Sequence, residues 1–311
     1  MAISEATTRR RAAPAPAEAP GHDRLTGRLG LSVPHEWWSS APLVKSYEAA
    51  GFRWIQLHAP PVAVLSNPRL CTRHAESARA ALQTTGLESI LHAPAGLRAG
   101  RAAGDRAFEG LLSYAAEIGA SQVVYHAMAL PEDPATSQAL AVEARSLRAL
   151  ASLAERLEIT IALENLAPLY PAAETLSSSP LGLRGLVQQI GSERVTLCLD
   201  LGHAHVIADR RHTGVERLCE PVLDHVSLFH VHDNFGARRR RTGEELGVDP
   251  LRLDLHLPPG RGTLPWKRLR PLLADHDAPL VLEVHPPHRP RAGELAAAAA
   301  RILSPGATRG S

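Results

Sequence analysis

The sequence predicts a single closed (β/α)₈ barrel of the TIM type, in the α/β class. Short β-branched or apolar runs alternate with longer amphipathic, alanine-rich runs, and this alternation repeats eight times over residues 28–304. Runs that are apolar throughout are typical of parallel strands covered by helices. The length of 311 residues also fits, since such barrels take about 250 residues. An open doubly wound sheet is the alternative, but no GxGxxG loop favours it.

The predicted elements follow one another as eight strand–helix units. The strands are expected at residues 28–33, 53–58, 88–92, 121–126, 159–164, 195–200, 226–231 and 279–284. The helices are expected at roughly 40–50, 70–85, 105–118, 136–157, 181–190, 213–223, 266–275 and 291–303. No second domain is predicted, so one barrel domain covers residues 28–304.

The two ends of the chain differ from this pattern. Residues 1–27 are rich in Ala, Pro and Arg and have no apolar face, which predicts a disordered tail. Residues 305–311 are expected to form a loose C-terminal tail. The start of the chain lacks the apolar segment of a secretory signal. No run of about 18 apolar residues suggests a membrane span.

Composition excludes several classes of function. The net charge of +2 gives no strong field for nucleic acid or a membrane surface. The three cysteines, Cys71, Cys198 and Cys219, form no CxxC pair, which argues against a disulfide framework and favours the reducing cytoplasm. Only Lys45 and Lys267 are lysines, and both fall in predicted helices, so Schiff-base chemistry is disfavoured. Sixteen histidines point instead to metal binding or acid–base chemistry.

Residue types that ligate metals stand at the ends of six consecutive predicted strands, the third to the eighth. They are His92, His126, Glu164, Asp200, His230 and Glu283. In a (β/α)₈ barrel the carboxyl ends of the strands form the active site. A single strand-end histidine is more often a core residue, but six such positions in a row predict a metal centre. Carboxylates such as Glu164 and Glu283, which follow apolar runs, need pairing or a metal when buried.

Five motifs resemble the xylose isomerase-like barrel superfamily, and within it the sugar phosphate isomerase/epimerase group. They are LENLAP, LDLGHAH, HVHDN, HLPPGRGTLPW and LEVHP, and the resemblance covers about residues 28–300. It implies one divalent metal held by Glu164, Asp200, His230 and Glu283. Mixed carboxylate and imidazole ligation suits Mn²⁺ or Zn²⁺, with Mg²⁺ and Co²⁺ as alternatives.

The resemblance also implies the activity. The expected enzyme isomerises or epimerises a keto or aldo sugar, a sugar phosphate or a related polyol, in carbohydrate metabolism. Glu164 and Glu283 would be its catalytic residues, moving a proton on and off the carbon beside a metal-bound carbonyl. His203 would contact a substrate oxygen or a second metal, and His256 and Arg261 are further expected substrate contacts. The partner is therefore a small molecule.

A rival hypothesis comes from the same superfamily. The sequence also resembles endonuclease IV, a zinc phosphodiesterase that acts on abasic-site DNA. Its three-zinc site would use nine residues. They are Glu164, Asp200, His230, Glu283, His92, His126, His203, Asp254 and His256. Three departures argue against it: Ala-Pro-Ala follows His92, the fifth strand carries ENLAP, and aromatic residues make up only 4%. We therefore expect no nucleic-acid partner.

Other questions stay open at this stage. A dehydratase (lyase) of the inosose type would share the first proton abstraction, and a non-catalytic barrel would need no chemistry. The chain is expected in the cytoplasm, and a homo-oligomer is an open alternative. The run Arg238–Arg241, in the long loop 233–262, is interpreted as a solvated loop, with an anion clamp as the alternative.

Overall fold

Eight parallel strands close into a barrel in the computed structural model, which describes residues 25–33, 40–128, 136–168, 174–237 and 253–303. The strands are β1 Leu29–Ser32, β2 Trp54–His58, β3 Glu88–His92, β4 Ala120–Tyr125, β5 Thr160–Glu164, β6 Val195–Asp200, β7 Val226–Val231 and β8 Leu280–Leu282. Each pairs with the next, and β8 pairs with β1 in the register Leu29 to Leu280. The predicted fold class is confirmed, and the strand ends differ from the prediction by at most two residues.

Helices follow the strands around the outside of the barrel. They are α1 Ala41–Ala49, α2 Val62–Leu65, α3 Pro68–Leu82, α4 Ala102–Ile118, α5 Thr136–Arg156, α6 Pro180–Ile190, α7 Leu201–Arg210, α8 Val215–Cys219, α9 Trp266–Ala274 and α10 Ala292–Leu303. Short 3₁₀ helices cover Thr26–Arg28, Leu176–Ser178, Glu220–His225 and Pro286–His288. Within the described ranges no helix has the length and apolar character needed to cross a bilayer.

The connection after β6 differs most from the prediction. Helix α7 begins directly after Asp200, whose Oδ1 accepts a hydrogen bond from the backbone N–H of His203 at 2.7 Å. A side chain that caps the first turn can start a helix immediately after a strand. The predicted helix 213–223 is shorter, because α8 ends at Cys219 and a 3₁₀ turn containing Pro221 follows it. Proline lacks the N–H that a continuing α-helix would need.

The barrel interior has two layers along the strands. The lower layer is apolar and consists of Ile90, Val124, Ala162, Cys198, Leu228 and Val281. Two residues further along several strands stand His92, Glu164, Asp200, His230 and Glu283. Side chains two apart in a strand share a face, so the apolar layer lies beneath these polar ends. Cys198 therefore shares the inner face with Asp200.

Some sequence predictions lie outside the described residues. These are the tail up to residue 24, the C-terminal segment 305–311 and the run Arg238–Arg241.

The larger apolar cluster, between the sheet and the helices, is built from described residues of all eight strand–helix units.

Candidate metal centre and active site

Ten His, Asp and Glu side chains converge at the carboxyl ends of the strands and form three groups. The first group is Glu164, Asp200, His230 and Glu283; the second is His92, His126 and Glu164; the third is His203, His232, Asp254 and His256. Within each group the candidate ligand atoms lie within 4.8 Å of one another. All nine ligand residues that the sequence suggested are brought together, and His232 joins them.

The three carboxylates of the first group surround Nδ1 of its fourth member, His230. This atom lies 3.0 Å from Glu164 Oε1, 3.5 Å from Glu283 Oε2 and 3.8 Å from Asp200 Oδ2. Glu164, Asp200 and His230 are buried, whereas the Glu283 side chain keeps 11% of its surface exposed. Three carboxylates around one imidazole nitrogen form a donor set of the kind that binds a divalent cation.

Gln56 on β2 holds two members of the first group. Its Oε1 accepts a hydrogen bond from His230 Nε2 at 2.8 Å, and its Nε2 donates to Glu283 Oε1. The hydrogen bond at Nε2 leaves Nδ1 of His230 for the carboxylates. Gln56 was not among the residues predicted from the sequence, although an amide side chain inside the apolar strand WIQLH was a usable signal. In the structure Gln56 is buried.

The second group is arranged around the other oxygen of Glu164. Oε2 lies 2.9 Å from His126 Nε2 and 3.2 Å from His92 Nε2. The opposite ring nitrogen of His92 donates to the carbonyl oxygen of Ala93 at 2.8 Å. A backbone acceptor at Nδ1 places the proton there and leaves Nε2 as the ligand atom.

Two histidines of the third group also donate a hydrogen bond from Nδ1 to a backbone carbonyl oxygen. Nδ1 of His203 donates to the Asn165 carbonyl and Nδ1 of His256 to the Glu283 carbonyl, both at 2.7 Å. Their Nε2 atoms therefore face Asp254, at 3.4 Å and 2.9 Å from its Oδ1. Both imidazoles therefore direct Nε2 toward a shared carboxylate.

His232 is the member that the sequence prediction left outside the ligand set. Its Nε2 lies 3.0 Å from Asp200 Oδ1, and its ring stacks on His256 with centroids 3.7 Å apart. Nδ1 is buried and has no hydrogen-bond partner among the described residues. Gly202 makes room for this ring, because a Cβ atom there would lie 2.1 Å from His232 Cε1. The HVH spacing on β7, with its second histidine just past the strand end, was the available signal.

The loop that carries Asp254 and His256 is fixed by Asp233. The Asp233 carboxylate accepts hydrogen bonds from the N–H groups of Gly260 at 2.8 Å and Leu264 at 3.0 Å, and from Trp266 Nε1 at 3.0 Å. Its backbone also pairs with Leu257 in an antiparallel bridge. The third group is therefore anchored to the end of β7 despite the intervening loop.

Neighbouring charges in the centre shift the pKa values of its carboxylates and histidines. Burial favours protonation of Glu164, but the charges of His230 and His126 and their hydrogen bonds hold its pKa well below the usual range. Burial acts the same way on Glu283, yet His230 leads a lowering of its pKa to about 2. Against the effect of burial, Cys198 and these carboxylates raise the pKa of His230 well above its usual value. The histidine charges thus favour the ionised form of Glu164 and Glu283.

The donor set fits a bound divalent metal. In the described part of the chain, Glu164 and Asp200 form ion pairs with histidines and with no lysine or arginine. Buried carboxylates without such partners are costly unless a cation compensates them.

A cavity of about 520 Å³ opens above these groups. His203 and His256, two of the expected substrate contacts, line it together with Glu164 and Glu283. Arg261, the third, is exposed and lies outside this lining. The remaining wall includes apolar side chains and the polar residues Ser32, His58, His285 and Arg289. The cavity is large enough for a small molecule.

Comparisons with known proteins agree with this architecture. A D-tagatose 3-epimerase-like protein superposes with a TM-score of 0.62 at 20% identity, covering 89% of this chain and 98% of its own. The 3-keto-D-glucoside 4-epimerase of E. coli gives 0.63 at 16%, covering 88% and 98%. D-Psicose 3-epimerase of Clostridium cellulolyticum H10 gives 0.62 at 14%, covering 89% and 95%. At these identities the likeness shows the fold.

A search among curated proteins gives no match. The family model of the xylose isomerase-like TIM barrel, in contrast, matches residues 44–304. That range contains β2 to β8 and all ten residues of the three ligand groups. The chain therefore belongs to the xylose isomerase-like TIM barrel family.

Proposed function

We propose that this protein is a divalent-metal-dependent isomerase or epimerase acting on a keto or aldo sugar, a sugar phosphate or a related polyol. One observation carries the proposal. Glu164 and Glu283 extend from different strands, approach the same nitrogen of His230 at 3.0 Å and 3.5 Å, and both line the cavity. Two carboxylates that reach one small-molecule cavity from different sides can remove and return a proton.

The metal is proposed to bind to Glu164, Asp200, His230 and Glu283, as Mn²⁺ or Zn²⁺. When bound, it would polarise the substrate carbonyl and so acidify the adjacent C–H bond. Glu164, whose pKa His230 and His126 hold well below the usual range despite its burial, accepts the proton from that carbon, and Glu283 exchanges a proton on the other face. His203 and His256 are proposed to contact substrate oxygens.

The surroundings prepare both glutamates for this role. His92 and His126 fix Oε2 of Glu164, and Gln56 fixes Oε1 of Glu283. Apolar side chains, among them Val33 and Leu166, line the cavity and would limit water around a bound substrate. Fixed orientation and a partly dry cavity both favour proton transfer between the protein and carbon.

The names of structural relatives support a sugar substrate. They include D-psicose 3-epimerase in the presence of D-fructose and D-allulose 3-epimerase in complex with D-allulose. The cytoplasm is the proposed location, and the three cysteines, all buried and unpaired, support a reducing compartment.

The test begins with elemental analysis of protein purified without added metal. We expect about one Mn or Zn per chain, and solvent deuterium uptake at the carbon beside the carbonyl of a keto sugar. Glu164→Gln and Glu283→Gln should abolish the uptake. Glu88→Gln, an exposed glutamate paired with Arg53 at 2.9 Å, is the matched control and should retain it. Deuterium uptake that survives both active-site substitutions would refute the proposal.

A second candidate is a zinc phosphodiesterase, and the additional ligand groups favour it. His92, His203 and His256 each present Nε2 after donating from Nδ1 to a backbone carbonyl. This arrangement would suit two further ions, and three Zn²⁺ ions can activate water for phosphodiester attack. Three tightly held zinc ions with cleavage of abasic-site DNA would favour this candidate. One ion per chain and no cleavage would exclude it, and a chain that binds no metal would instead be a non-catalytic barrel.

An inosose-type dehydratase would use the same first proton abstraction. It is distinguished by its product, because loss of water creates an unsaturated product whereas isomerisation conserves the formula. Mass spectrometry of the same deuterium reactions separates the two outcomes.

A further inference from the structure

One arginine stands in the wall of the active-site cavity. Arg289 follows the 3₁₀ turn Pro286–His288 after β8 and is the one arginine or lysine among the described residues that line this cavity. Its Nε and Nη2 donate to the carbonyl oxygen of Val284 at 3.0 Å and 2.7 Å. Val284 directly follows Glu283, so the guanidinium is tied to the segment that carries a catalytic carboxylate.

The guanidinium has unused hydrogen-bonding capacity. Nε and Nη2 share one carbonyl oxygen, and the side chain also interacts with the Tyr47 hydroxyl. The buried Nη1 has no hydrogen-bond partner in the part of the chain that the structure describes. A partly buried guanidinium gains most from an oxyanion, which can accept two of its hydrogen bonds at once. The two hydrogen bonds to Val284 hold the group in place for such a ligand.

The charge distribution of the cavity gives this arginine a specific role. Glu164, Asp254 and Glu283 line the same cavity and repel an anion. An anionic substrate therefore needs a compensating cation away from the metal. Arg289 is the one arginine or lysine of the described lining that can supply this compensation.

We infer that Arg289 forms the subsite for the anionic end of the substrate, so that the natural substrate is a sugar bearing a terminal phosphate or carboxylate. This inference rests on the proposed function, since it assigns the substrate class of that same site. The alternative is that Arg289 only fastens the chain after β8 through the Val284 carbonyl and Tyr47. The two roles predict different responses to substitution.

The first experiment measures binding of inorganic phosphate to the full-length, Mn²⁺-loaded protein by calorimetry. We expect Arg289→Gln to weaken binding about 10- to 100-fold, the loss expected for a charge-assisted hydrogen bond. Arg289→Lys, which keeps the charge and loses the planar fork, should weaken it less. Arg291→Gln removes an exposed charge two residues away, outside the cavity lining, and should bind as wild type does. Circular dichroism confirms that each variant is folded.

The second experiment compares deuterium uptake for one ketose, its terminal phosphate and its terminal carboxylate. Wild type should prefer one of the two charged forms, which identifies the oxyanion. Arg289→Gln should lower kcat/KM for that form about 10- to 100-fold and change the neutral ketose less than threefold. A fastening role alone would lower all three equally.

Three outcomes would overturn the inference. They are phosphate binding that Arg289→Gln does not change, a wild type that neither binds phosphate nor prefers the terminal carboxylate, and a wild type that prefers the neutral ketose. In each of these cases deuterium uptake with a neutral sugar would leave the proposed function intact. Absence of uptake with every sugar would refute the proposed function, while the phosphate measurement would still decide whether Arg289 holds an anion.

Discussion

Gln56 and His230 meet across the interior of the barrel, where the amide oxygen of Gln56 accepts a hydrogen bond from Nε2 of His230 at 2.8 Å. The two residues belong to β2 and β7, which are not neighbours in the sheet. The same amide donates through its nitrogen to Glu283. One neutral side chain thus sets both the tautomer of an imidazole and the orientation of a carboxylate in the candidate metal group.

Replacing Gln56 with leucine should weaken metal binding. The leucine side chain would accept no hydrogen bond from His230 Nε2 and hold no oxygen of Glu283, so we expect Mn²⁺ affinity to fall about 10- to 100-fold, as for other residues that orient metal ligands. Calorimetric Mn²⁺ titration measures the change. Gln122→Leu is the matched control, because Gln122 is also a buried glutamine and contacts Ser227 instead of a ligand. Equal losses in both variants would contradict the assignment.

Gly202 should not tolerate a side chain. A Cβ atom there would lie 2.1 Å from Cε1 of the fully buried His232. We expect Gly202→Ala to lower the free energy of unfolding by about 1–3 kcal/mol, the range for overpacking a core, in urea denaturation. Gly185→Ala in α6 is the control, because no atom lies within 4 Å of its Cβ position. That variant should be slightly more stable, as alanine favours a helix by about 1 kcal/mol over glycine.

Glu143 should make stability depend on pH. Burial raises its pKa above the ordinary 4.5, although hydrogen bonds from the Tyr125 hydroxyl at 2.7 Å and the Met128 N–H at 3.2 Å oppose this rise. Because the unfolded chain releases this proton at a lower pH than the folded one, the stabilising contribution is complete below 4.5 and is lost as pH rises through the folded pKa.

The matching measurement is urea denaturation of wild type and Glu143→Gln over a pH series. Glutamine cannot ionise and can still accept from Tyr125, so the variant should gain stability relative to wild type as the pH rises above 4.5. A difference that stays constant across the series would show that Glu143 does not titrate in this way.

Metal removal should destabilise the fold. A ligand that binds only the folded state adds about 2.7 kcal/mol of stability at a concentration 100 times its Kd. We therefore expect Mn²⁺ to raise the Tm of chelator-treated wild type. Asp200→Asn, which lacks one ligand charge, should respond less at the same concentration. An identical shift in both proteins would place the stabilising ion elsewhere.

The alternation of strands and helices was predictable, because parallel strands buried on both faces leave apolar runs that are easy to recognise. The strand-end ligands followed from the same pattern, since the carboxyl ends of all strands meet at one end of a barrel. Asp254 and His256 lie beyond a long loop, and the family resemblance rather than periodicity indicated them. The structure adds the reason for their position, which is the set of hydrogen bonds to Asp233.

Other parts of the site depend on contacts that no local pattern encodes. Gln56 acquires its role only because β2 faces β7 across the barrel. His232 reaches the third group because Gly202, thirty residues earlier in the chain, leaves space for its ring. In the sequence nothing distinguishes Arg289 from other loop arginines, because its place in the cavity lining depends on the turn after β8. Helix α7 was missed because its capping residue, Asp200, was interpreted only as a ligand.

Glu164 belongs to two ligand groups at once, with Oε1 toward His230 and Oε2 toward His92 and His126. Occupancy of the first and second groups cannot then be independent. An ion in one group would change the affinity of the other, and thermodynamic linkage would make that effect equal in both directions. The number of ions bound would thus depend cooperatively on this single carboxylate, and substitution of Glu164 should alter both binding steps rather than remove one.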